Sequence, residues 1–244
     1  MTEIVVFDIW GDYAQFKKNY TTTSPISYGI PPRSTVAGLI AAIVGLGRRE
    51  YYQYFSLDKA WISVRVLSPI KRIQITESFI NTKDGFVIPV KKKGHEPRIL
   101  VRIDFVKDPK YRIYLVHKDT NLVKKLTELL SEHKCVYTPY FGISELIANF
   151  QFVGTFTAEK IKTSEDVSIN SIVPFDALEQ GSVKIAPAQS IAIENMPLYI
   201  NENRVAEKYS KIVYDENGEP LMVKPKSHYW RLENGENIMF FSGA

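Results

Sequence analysis

The run Ile4–Trp10 is β-branched and aromatic apart from Asp8, and Gly11 closes it, so it predicts a buried strand. After a loop of mixed small, polar and aromatic residues, Val36–Leu46 is a stretch of 11 residues without a polar side chain. Val36, Leu39, Ile40, Ile43, Val44 and Leu46 wrap most of a helical circumference, which predicts a buried helix. Gly38, Ala41, Ala42 and Gly45 keep that helix thin enough to lie closely on a sheet. Pro31 and Pro32 impose extended backbone before it, and Ser34 or Thr35 is placed to cap its first amides. Ala60–Leu67 and Lys110–Lys118 predict two more strands. Asp119–His133 has apolar residues at 122, 126, 129 and 130, the stripe of an amphipathic helix, with Asp119 or Thr120 as its cap. Phe150–Ile161 predicts a further strand. The order strand, helix, strand, then strand, helix, strand is the split βαβ pattern of a ferredoxin-like, RRM-like palm, so the expected fold class is α+β.

A long insertion interrupts that pattern. Ile70–Ile80 and Arg98–Val106 are extended runs, joined by the turn-rich stretch Asn81–Pro97, and together they predict a protruding β-hairpin at about 71–109. Beyond residue 163 short apolar runs alternate with turns, which predicts a small β-rich part over 163–244 packed on a main domain at 1–162.

Charge sharpens the picture of the insertion. The chain of 244 residues carries a net charge of +4, too mild by itself to argue for nucleic acid. Residues 71–112 hold 11 Lys and Arg against five acids, a local +6, so the basic charge is concentrated on the hairpin. Lys91, Lys92, Lys93, Arg98 and Arg102 are therefore candidate RNA contacts. The first loop adds Tyr13 and Phe16 for stacking, Gln15 for hydrogen bonding, and Lys17 and Lys18 for charge, a mixture suited to single-stranded RNA with splayed bases. The collar Pro31–Thr35 places Arg33 and Ser34 at a helix N-terminus, where free amides favour a phosphate. Arg33 is expected to grip a phosphate or base edge, with a structural salt bridge as the bland alternative.

Other chemistries find little support. Hydrophobic residues make up 45% and charged residues 24%, ordinary for a globular protein. Cys135 is the single cysteine, so no intrachain disulfide exists. His95, His117, His133 and His228 have no partners at metal-ligand spacing, and there is neither a P-loop nor a nucleophile elbow, so no metal or cofactor is expected. No run approaches the ~20 apolar residues of a membrane span, and Glu3 and Asp8 stand where a signal peptide has basic residues. A soluble, cytoplasmic protein without a membrane partner is expected.

Four segments in order, "FDIWGDYAQFKKNY", "PPRSTVAGLIAAIVGLG", "PKYRIYL" and "YFGISE", spanning residues 7 to 145, resemble the Cas-five family of CRISPR-associated proteins, RAMP-superfamily subunits of type I Cascade complexes. The flavour resembles type I-B. The resemblance implies a ferredoxin-like palm with a hairpin thumb that binds the 5′ handle of the CRISPR RNA. It also implies Cas-seven backbone subunits, whose filament such proteins cap, and the Cascade large subunit as partners in antiviral defence. In the type I-C branch the corresponding protein cuts precursor RNA without metal, which needs a base, an acid and a cation near the phosphate. His117 and Lys118, with a tyrosine such as Tyr51 or Tyr140, are the candidates for that alternative. A free-standing RNA-binding module outside CRISPR accounts for the hairpin but not for the combined segments.

Overall fold

A computed structural model of the chain describes residues 2–21 and 24–242. The elements run β1 (Thr2–Trp10), β2 (Tyr13–Ala14), α1 (Arg33–Val44), α2 (Tyr51–Tyr54), β3 (Ala60–Val66), β4 (Lys71–Ile80), β5 (Arg98–Lys107), β6 (Lys110–His117), α3 (Thr120–Ser131) and β7 (Asn149–Lys162). They continue with β8 (Val167–Ile169), β9 (Val173–Pro174), β10 (Ile191–Ile200), β11 (Ala206–Asp215), β12 (Leu221–Val223), β13 (His228–Leu232) and β14 (Asn237–Ile238). The architecture is α+β and rich in sheet.

The main sheet has the order β14-β13-β7-β1-β6-β3. β1 lies at its centre, antiparallel to both neighbours, with Val5 opposite Leu115 on one side and Thr155 on the other. Successive side chains on a strand point to opposite faces. On one face Val5, Phe7 and Ile9 meet the apolar sides of α1 and α3 in the largest core cluster. On the other, Ile4 and Val6 pack with Tyr114, Leu232, Ile238 and Phe240. Burial on both faces explains why the β1 sequence is nearly continuous in apolar residues rather than alternating.

α1 buries Val36, Leu39, Ile40, Ile43 and Val44 and ends at Gly45, whose φ of 82° is the left-handed conformation a helix C-cap favours. A Cβ there would also meet Val136 at 2.8 Å, so the site excludes side chains twice over. The N-terminal end differs from the expected one. Pro32 is the N-cap residue, its carbonyl accepts from the Val36 amide at 3.1 Å, and no side chain caps the helix. Ser34 and Thr35 lie inside the first turn and do not cap it. α3 starts on Asp119, whose carboxylate accepts from the amides of Asn121 and Leu122 at 2.9 and 3.1 Å. Leu122, Leu126 and Leu130 are its buried stripe, each burial contributing about 1.5–3 kcal/mol.

The C-terminal residues contribute more than an appendage to this core. β13 pairs with β7 and extends the main sheet, with β14 beyond it. Met196, Leu198, Ile212, Tyr214 and Phe241 join the main cluster, while Ile169, Val173, Leu178, Val213, Leu221 and Val223 form a second one. Among the described residues no helix is long and apolar enough to cross a membrane.

Candidate nucleic-acid interface

β4 and β5 pair antiparallel from Lys71 opposite Lys107 to Ile80 opposite Arg98. Ten residues at ~3.4 Å each make an arm of about 34 Å. Directly opposed residues share a face, so the register sorts the arm. Ile73, Ile75, Glu77 and Phe79 stand with Phe105, Ile103, Val101 and Ile99 on a face that is apolar except for Glu77. Gln74, Thr76 and Ser78 stand with Asp104, Arg102 and Leu100 on the other, flanked by Arg72 and Arg98. The apolar face is buried near the body, at Ile103 and Phe105, and bare towards the far end, at Phe79 and Ile99. Beyond it the connecting segment holds Lys91, Lys92 and Lys93, all exposed, with the Lys92 ammonium 4.4 Å above the Phe86 ring. Among the described residues none of Lys91, Lys92, Lys93, Arg98 and Arg102 is in an ion pair.

The arm is anchored at its base by a polar knot. Arg72 donates to the Ser27 carbonyl at 2.9 Å and lies 3.4 Å from Glu216, 3.5 Å from Asp104 and 3.9 Å from Glu194. Glu194 is buried, and its carboxylate accepts from Tyr214 Oη at 2.6 Å and the Gly29 amide at 3.1 Å. Burial first, then the Glu194 carboxylate, push the Tyr214 hydroxyl well above the usual phenol range. The knot ties the arm to the first loop and to β10 and β11.

Several residues expected to contact RNA are engaged within the protein. Lys18 pairs with Glu194 at 2.7 Å and lies 5.3 Å over the Tyr28 ring. Gln15 and Phe16 are buried: the Gln15 backbone N–H donates to the Phe141 carbonyl at 3.0 Å, and Phe16 packs edge-on against Phe141. Tyr13 meets Phe105 edge-on at 6.2 Å, under the arm. Stacking on bases is therefore closed to Phe16 as it stands. Lys17 alone of that set is exposed.

Arg33 is the largest correction. It is 1% exposed, and its guanidinium donates to four carbonyls. Nη1 reaches Phe55 at 2.9 Å and Leu198 at 3.0 Å; Nη2 reaches Ser56 at 3.2 Å and Ala60 at 2.6 Å. Burial lowers its pKa to about 10, still far above neutrality, so it remains a cation. A guanidinium that gives its four Nη hydrogens to carbonyls ties α1 to the end of α2, the start of β3 and β10; its fifth donor, on Nε, is buried without a partner, so none is presented to a phosphate. The expected salt bridge is also absent among the described residues, because the partners are carbonyls. Ser34, by contrast, is half-buried and lines a groove beside the helix.

His117 is engaged at both ring nitrogens. Nδ1 accepts from the Asp119 amide at 3.0 Å, so Nε2 carries the proton and donates to the Tyr54 carbonyl at 2.9 Å. Burial lowers its pKa. The Lys118 ammonium lies 5.8 Å from the Trp61 ring. Arg48, Tyr137 and Arg204, which line the groove with Ser34, Tyr51 and Tyr140, were not among the expected site residues. The tyrosines of "YYQY" and "YTPY" mark two of its walls in the sequence without showing that they meet.

The fold is an antiparallel α+β scaffold that holds out a basic two-stranded arm. Residues 4–180 match the family model of CRISPR-associated protein (Cas_Cas5), well over half of the chain, and the chain belongs to that family. Among solved structures, it is similar to a CRISPR protein from Archaeoglobus fulgidus at 14% identity and a TM-score of 0.57, covering 97% of this chain and 98% of that one. A chain of a CRISPR RNA-guided surveillance complex is similar at 13% identity and a TM-score of 0.55, with 91% of each covered. A chain of a type III-B Cmr-beta complex bound to cognate target RNA and AMPPnP follows at 11% identity and a TM-score of 0.51, over 91% of this chain and 86% of that one. At such identities the likeness is one of fold. No curated protein sequence matches the chain. Family membership makes it a CRISPR-associated protein.

Proposed function

We propose that this protein is a non-catalytic RNA-binding subunit of a type I Cascade complex, of type I-B flavour, that holds the 5′ handle of the CRISPR RNA. It caps the filament of Cas-seven backbone subunits at that end, contacts the large subunit, and works in the cytoplasm. The palm is residues 1–162 with the thumb inserted, and 163–244 is the β-rich part packed on it. The strand order β7-β1-β6-β3, with α1 leading from β1 to β3 and α3 from β6 to β7, supports a ferredoxin-like palm. The observation that carries the reading is the arm: within this family's scaffold, three consecutive exposed lysines, in no ion pair among the described residues, stand at the end of a hairpin.

The rival, a metal-independent endoribonuclease, needs His117 free to take or give a proton. Both its nitrogens are bonded to backbone, which favours the non-catalytic reading. Purified protein incubated with repeat RNA in chelator should retard the RNA on a native gel and leave it intact on a denaturing one. A discrete cut leaving a 2′,3′-cyclic phosphate, lost in His117→Ala, would establish the rival.

A further inference from the structure

Beside the collar lies a groove of about 630 Å³. Its walls come from α1, from the α1–α2 connection, from the segment 137–142 and from the β10–β11 turn. No residue of the arm lines it. Arg48, from the α1–α2 connection, and Arg204, from the β10–β11 turn, both line it; both are exposed, and among the described residues neither is in an ion pair. Tyr51, Tyr137 and Tyr140 also line it, and among the described residues no acid does. The adjoining cleft shares Arg48 and Arg204, adds Arg49, and contains Glu202, whose carboxylate accepts from Gln53 Nε2 at 2.5 Å.

Two further details point to an open seat. Arg204 has φ of 61°, a conformation uncommon for a residue with a side chain, and Asn201 holds the turn by accepting from the amides of Arg204 and Val205 at 2.9 and 3.0 Å. Gly38 lines the groove from within α1, where glycine is a poor helix former. A Cβ at Gly38 would meet nothing nearer than Tyr51 Oη at 3.9 Å, so packing does not require the glycine. The bare backbone keeps the groove deep.

We propose that this groove seats a nucleotide segment of single-stranded RNA, with phosphate between Arg48 and Arg204 and bases against the tyrosine rings. Two guanidiniums lining one groove match a phosphodiester, and tyrosine faces accept any base. The proposal rests on the reading of the chain as an RNA-binding subunit and adds a second seat, on the body rather than the arm.

The test uses the full chain and an oligouridylate of about eight nucleotides, within the usual span of such sites, labelled at its 3′ end and read by fluorescence anisotropy. The double variant Arg48→Ala/Arg204→Ala should bind about tenfold more weakly or worse. Gly38→Leu, which fills the groove, should weaken binding similarly while the thermal midpoint does not fall. With 5-bromouridine in the probe, photo-crosslinks should map to Tyr51, Tyr137 or Tyr140. If both variants bind like the unaltered protein, or crosslinks fall only within residues 81–97, the groove is not an RNA seat and the proposed function stands without it. If the unaltered protein binds no RNA, the proposed function fails and this inference with it. If the variants bind RNA normally but no longer join their partner subunits, the groove belongs to a protein and the proposal is overturned.

Discussion

Replacing Arg33 by alanine removes a cation that four backbone carbonyls share. Three of those hydrogen bonds are buried, and the one to Ser56 is partly so. A buried acceptor left without a donor costs about 1–3 kcal/mol, so three orphaned carbonyls bound the loss at about 3–9 kcal/mol. Two effects reduce it. Water can enter the space the side chain leaves, and the guanidinium no longer has to be desolvated, a penalty already visible in its buried Nε, which has no partner. A net loss of about 3–5 kcal/mol is expected, a large share of the ~5–15 kcal/mol that holds an ordinary domain folded. Arg33→Lys should recover only part of it, because three donors on one atom cannot span carbonyls on α2, β3 and β10. Equilibrium urea unfolding, with the midpoint and slope fitted for each variant, measures this directly. RNA affinity per folded molecule should be unchanged. A stability change within about 0.5 kcal/mol, the range of a surface substitution, accompanied by loss of RNA binding, would refute the tie and restore Arg33 as an RNA-binding residue.

Other perturbations separate the remaining parts. Lys91→Ala/Lys92→Ala/Lys93→Ala should leave the urea midpoint in place and weaken RNA binding, flattening the salt dependence by about 0.7 log unit for each phosphate that is no longer neutralised; an unchanged slope would take the arm's end out of the interface. Glu194→Gln should lower stability by about 1–3 kcal/mol and speed hydrogen exchange at the base of β4 and β5, because Lys18, Tyr214 and Arg72 lose their shared carboxylate; exchange unchanged there would mean the knot does not hold the arm. His117 is kept neutral by burial, so its folded pKa lies below the ordinary 6.5 and the unfolded chain takes up the proton first as pH falls. Its contribution to stability is present above about pH 6.5 and lost as pH drops through the lowered folded value, so His117→Gln should flatten the decline in stability between about pH 7 and 5. A decline equally steep in the variant would show that the imidazole is not held neutral.

The elements built from local pattern were legible in the sequence, and the contacts across long separations were not. β1, α1, β3, β6, α3 and β7 follow from periodicity and punctuation within each segment, and the arm follows from two extended runs around a turn-rich stretch. Arg33 is misleading in sequence because its type and setting suit a phosphate as well as a carbonyl. What decides between them is Leu198, 165 residues away, which closes over the guanidinium. Lys18 misleads for the same reason, since Glu194 lies on β10. Gln15 and Phe16 sit in a polar-looking loop, yet Phe141 and Tyr111 cover Phe16 from other elements. The groove is hidden in the sequence because its arginines, at 48 and 204, come from two distant turns that only the packing of β10 and β11 onto α1 brings together.

The central claim is that the protein holds the repeat-derived 5′ end of the CRISPR RNA. Competition binding tests it most directly: labelled mature CRISPR RNA from the organism's own array is displaced by the same RNA unlabelled, with or without its 5′ handle, at fixed salt. The intact RNA should compete at least about tenfold better than the RNA lacking the handle, a difference of about 1.4 kcal/mol. Equal competition by the two RNAs would contradict the account, leaving a basic arm that binds RNA without reading that end.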